Sequence, residues 1–88
     1  MTEMYEMTLK VMSQEGTCDA GHRVGDEFVL GEKTPEGLCS WAFVAIFPFA
    51  NAIRFGGSLP WENDPDEATV VCPDPDNPVV FHLRRSTR

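Results

Sequence analysis

Cys18 and His22 stand four residues apart in the stretch CDAGHRVGDEF, and the chain's other cysteines are Cys39 and Cys72. Thiolate and imidazole are ligands that zinc and ferrous iron accept, usually four around a tetrahedron. Cys18, His22, Cys39 and Cys72 therefore form a candidate metal set, with zinc or iron as the cofactor. The spacing C-x3-H is not that of a finger or knuckle, and no C-x2-C occurs. Any convergence has to come from the fold, and each of these residues is predicted to lie in a loop or at the end of an element.

A second chemistry uses Cys39 or Cys18 as a nucleophile or redox thiol, and rests mainly on Cys39. A cysteine at a helix start has its thiolate favoured by the dipole and by unpaired N–H groups. His22 is the candidate base if its loop folds over that start, so Cys39 and His22 are the candidate catalytic residues. The backbone of Gly56-Gly57 is a candidate oxyanion-binding element. A third reading treats Cys39 and Cys72 as small buried hydrophobes, a common role for free cysteines. His82, on the polar side of an edge-like strand, reads as structural. ENDPDE and DPDN gather carboxylates but lack the glycine and closing glutamate of an EF-hand loop, so they read as solvated turns. Asp26 is expected to bond local backbone, and Trp61 to pack back onto its own domain.

The elements that must position these groups are legible in the pattern. Tyr5, Met7, Leu9 and Val11 alternate with polar residues, the period of a half-buried strand. QEGTCDAGH is a loop, and EFVL, closed by Gly31, is a short second strand. EKTPEG is a turn. A helix is predicted from Cys39 or Ser40, apolar nearly all round through SWAFVAIF and hence buried on more than one side. Pro48 either kinks it or begins a second helix. Gly56-Gly57 supplies a left-handed C-cap. SLPWENDPDE is an extended acidic loop, and ATVVC and VVFHLRR flank the turn PDPDNP as two more strands. The expected fold is α+β: a small antiparallel sheet in the order β-β-α-β-β, with a kinked apolar helix or helix pair packed on one face.

Eighty-eight residues make one domain, 1–88, with 84–88 expected as a flexible basic tail. Fourteen acidic residues face seven basic ones, and only two of those are lysines, so the chain has little to offer a phosphate backbone. No nucleic acid is expected as a partner. MTEMYEMTLK carries Glu3 and Glu6 and no apolar run, so it is not a signal peptide. The apolar stretch Leu38 to Phe55 is broken by Ser40, Pro48, Asn51 and Arg54, and no membrane span is expected. A cytoplasmic chain with reduced thiols follows. The stretch LCSWAFVAIFPFANAIRF offers more apolar surface than a small sheet can cover. A homo-oligomer is therefore expected, a dimer favoured, with Trp41, Phe43, Phe47 or Phe49 in the contact.

GHRVGDEF, TPEGLCSWAF, RFGGSLPWE and CPDPDNPVVFHLRR together resemble a family of short uncharacterised cysteine-containing proteins of anaerobic bacteria and archaea. The resemblance runs from about Leu9 to Arg85. It implies that Cys18, Gly21, His22, Gly25, Asp26, Cys39, Gly56, Gly57, Trp61, Cys72 and Pro73 belong to the family pattern, and it implies no activity. Three functions stay open: a protein with a metal-binding Cys/His site, an enzyme with a reactive cysteine assisted by His22, and an accessory module that binds a protein partner through its apolar helix.

Overall fold

The computed structural model describes residues 4–86. In β1 (Met7–Gln14) the alternation sends Met7, Leu9 and Val11 inward, fully buried, while Lys10 and Met12 face out. β2 (Glu27–Leu30) pairs antiparallel with one side of β1, Leu9 opposite Phe28. β4 (Val79–Arg85) pairs antiparallel with the other side, with a register shift between Val11 and Ser13. β3 (Glu67–Val71) completes the sheet against the far side of β4.

The inward faces of β1, β3 and β4, with Phe81 and Leu83 at their centre, are covered by Ala42, Ile46, Ala50 and Ile53 of α1 (Ser40–Arg54). Those helix positions recur every three or four residues, the stripe that one helix face presents. Helix α1 lies against β3 and β4.

The expected architecture is corrected by the sheet and by the helix. Neighbouring strands run β2-β1-β4-β3, so the β-β-α-β-β succession does not give the spatial arrangement. β2 and β3 are the two edges, and the chain passes from one to the other through α1. A single helix of 15 residues stands where a kinked helix or helix pair was expected, with Pro48 inside it. Proline lacks the N–H that would bond the carbonyl of Val44. Both residues are exposed, so water can satisfy that carbonyl and the helix continues.

The helix ends as the glycine pair predicts. Gly56 N–H donates to Ile53 O (3.0 Å) and Gly57 N–H to Ala52 O (2.9 Å), a Schellman arrangement with Gly56 at φ +95°. A side chain at Gly57 would place its Cβ 2.7 Å from that same Ala52 oxygen. Buried Arg54 donates to Gly31 O (2.8 Å) and so ties the helix end to the exit of β2.

Arg84 and Arg85 stand in β4 rather than in a flexible tail; residues 87 and 88 lie outside the described residues. Arg85 donates to Asp66 (2.6 Å) and to the carbonyls of Ile53 and Gly57 (3.0 Å each). Arg84 bridges Asp64 (3.3 Å) and Glu67 (2.8 Å). The Asp66 backbone N–H, reinforced by Arg84, holds the Asp64 carboxyl below its ordinary range, and Asp64 in turn raises Arg84. His82 pairs with Glu67 at 2.9 Å, on an interior strand of the sheet and not on an edge.

Candidate functional site

Two loops and the helix start meet at one end of the sheet. The 15–26 loop is anchored to the β3–β4 hairpin by Asn77, whose Oδ1 accepts Thr17 N–H at 2.8 Å, and by Glu15 N–H on Pro78 O at 3.0 Å. Gly16 is at φ +67°, and any Cβ there would collide with the Asn77 amide. Glycine is what lets the two loops close on each other.

A cleft of about 410 Å³ opens where they meet. Cys18, Asp19, Ala20 and His22 form one wall, while Cys39, Trp41 and Ala42 form a second. Cys72, Pro73, Asp74, Asn77 and Val79 of the hairpin close the third side, and Phe81 also faces the space. All four residues singled out by type, Cys18, His22, Cys39 and Cys72, thus line one space, although they come from three separate segments.

His22 is the best-defined group. It is 4% exposed, with its ring edge-on to Phe28 (centroids 5.2 Å apart) and to Phe81 (5.9 Å). Its Nε2 accepts the backbone N–H of Cys39 at 3.0 Å. A backbone N–H can only donate, so Nε2 must offer its lone pair, and a neutral imidazole then carries its proton on Nδ1. This bond places His22 beside Cys39, as a catalytic pair requires, but against the backbone and not the thiol. With the basic nitrogen occupied, His22 is not poised as a general base, and it would have to surrender that bond to ligate an ion.

The three thiols differ in their surroundings. Cys72 Sγ accepts Val79 N–H at 3.3 Å and lies 3.9 Å from Asn77 O, so it closes the hairpin. Cys39 is the N-cap of α1 and makes no side-chain cap bond. Cys18 packs half-buried against the core, its carbonyl closing a turn to Gly21 N–H at 2.9 Å. All three cysteines are free thiols.

Among the described residues no group of three or more His, Cys, Asp or Glu side chains is placed to hold a metal ion. The donor set has the right chemistry for zinc or iron, but it is not assembled as a coordination shell. The Gly56-Gly57 backbone does not serve as an oxyanion element. Its N–H groups are spent on the helix carbonyls, at the opposite end of α1 from the cleft.

Asp26 accepts Arg23 N–H at 2.9 Å and so orders its own turn. Exposed Trp61 leans edge-on against Phe49. Sequence reasoning missed Asn77 as the tie between loops, and Trp41 and Phe81 as parts of the cleft. The asparagine beside proline in PDPDNP announces a turn, but nothing local says which distant N–H its side chain will meet. No protein-family model, curated protein or solved structure matches the chain.

No helix of the described residues is long and apolar enough to cross a membrane.

Proposed function

We propose that this chain is a small cytoplasmic binding protein whose ligand, a small organic molecule, occupies the cleft against the thiols of Cys18 and Cys39. The observation that carries this reading is the meeting of those thiols, buried His22 and Trp41 around a single opening of ligand size. Cys72 is structural in this reading, because its sulfur already serves the hairpin. The cleft is mainly apolar, which suits an organic body better than a hydrated ion. Site-resolved alkylation with iodoacetamide at neutral pH tests the assignment. Cys18 and Cys39 are expected to react about tenfold faster than Cys72 in the folded protein. Cys72 reacting as fast as the others would overturn it, and protection of all three thiols relieved by a chelator would restore the metal reading.

A second reading concerns association and has its own support. The solvent side of α1 runs Trp41 (71% exposed), Val44 (68%), Pro48 and Ala52, and continues to Phe55 without one charged residue. Phe43, Phe47 and Phe49 are partly buried against the core, so of the expected contact residues only Trp41 is on this stripe. A second copy is the occupant we propose. Chains of net charge −7 repel one another, and an uncharged stripe placed across a two-fold axis meets itself with least repulsion. Light scattering at micromolar concentration should give twice the chain mass of 9.8 kDa, reverting to a single chain in Val44→Glu. A wild-type mass of one chain would overturn it.

A further inference from the structure

The bond between His22 and Cys39 does more than shape the cleft wall. Because Nε2 is committed to the Cys39 N–H, Nδ1 is the protonated nitrogen, and no protein acceptor among the described residues takes its proton. Nor is that nitrogen sealed away, since no buried side-chain nitrogen or oxygen among the described residues lacks a partner. The ring itself is 4% exposed and borders the cleft. The first turn of α1 opens beside it. Phe43 N–H is bonded to Cys39 O, whereas the amides before it have no partner within the helix.

We infer that the cleft recognises a neutral carbonyl compound, an amide or ketone with an apolar body, whose oxygen accepts the His22 Nδ1–H. This rests on the small-molecule reading above and narrows its ligand class. A ligand that brings an oxygen beside His22 satisfies the N–H that the protein leaves without an acceptor. Charge decides against an anion: Asp19 and Asp74 line the opening, no Lys or Arg does, and the whole chain is acidic. Ala20 and the exposed Trp41 receive the apolar body, over a floor of buried Ala42, Val79 and Phe81.

The test compares three probes that share a ring: cyclohexanone, cyclohexanecarboxylate and methylcyclohexane. Each is titrated into the intact protein while the imidazole nitrogens of His22 and the amides of Ser40 to Phe43 are followed by ¹⁵N NMR. The free protein should show His22 protonated at Nδ1. Cyclohexanone should shift Nδ1 and the helix-start amides, with an affinity about tenfold above that of the carboxylate, and methylcyclohexane should leave Nδ1 unmoved. In His22→Gln the side-chain oxygen can still accept the Cys39 N–H but nothing replaces the Nδ1–H, so the preference for the ketone over methylcyclohexane should vanish. A proton on Nε2, tighter binding of the carboxylate, or no shift with cyclohexanone would each overturn the inference. In any of those outcomes the alkylation order of Cys18, Cys39 and Cys72 still decides the broader reading separately.

Discussion

Phe81→Ala is expected to destabilise the protein by about 3–5 kcal/mol, the usual cost of emptying a buried aromatic site. Phe81 heads the fully buried side chains by volume. It stands on β4, opposite Val11 of β1 and Val70 of β3, so its ring is shared by three strands. It also supports the edge of His22 and faces the cleft. A urea unfolding series on wild type and variant gives the difference from the midpoints at constant slope. For a domain of this size the loss approaches the total stability. Phe81→Leu, which keeps most of the volume, is the control that separates a smaller core from an unfolded chain. A Phe81→Ala variant with an unchanged midpoint would show that this end of the sheet contributes little to stability.

The second large effect is expected at His22. His22→Leu keeps an apolar body between Phe28 and Phe81 but removes the acceptor of the Cys39 N–H. A part-buried donor left without a partner costs about 1–3 kcal/mol. The loss falls at the N-cap of α1, where no side chain substitutes for it. Amide hydrogen exchange should therefore quicken at Cys39 and through the first helical turn, while the β1–β4 ladder keeps its relative protection. His22→Gln, which can place an oxygen where Nε2 was, should recover part of the stability. Equal stability of wild type and the leucine variant would mean that water takes the histidine's place at no cost, and that His22 has no structural role at the helix start.

Much of the local structure can be read from the chain. The two-residue alternation in β1 and in Val79, Phe81 and Leu83 matches the buried face, because a strand turns alternate side chains the same way wherever it lies. The Gly56-Gly57 pair fixes the helix end through bonds that reach only four or five residues back. Asp26 orders its own turn for the same reason. Cys18, His22, Cys39 and Cys72 all border the cleft, but among the described residues they form no group that could hold a metal ion.

Other features depended on contacts that no local pattern encodes. Strand order is one: β1 and β4 are distant in sequence, and their pairing forces β2 and β3 to the two edges. Pro48 is another, since the same proline breaks a helix when the freed carbonyl is buried and is tolerated when it faces water. Arg84 and Arg85 look like a solvated tail until β4 pairs with its neighbours and Asp64 and Asp66 come within reach.

The chemistry of the site divides along the same line. Residue type alone determined that thiol and imidazole groups were available and that acidic residues outnumber basic ones, fourteen to seven. Only the tertiary structure decided their state: Cys72 became a hairpin acceptor, and His22 became, through Nε2, the acceptor of the Cys39 N–H. A histidine's tautomer and a thiol's freedom are set by whichever group folding places within about 3 Å of them. That neighbour can lie seventeen residues away, as Cys39 does from His22, and sequence spacing carries no record of it.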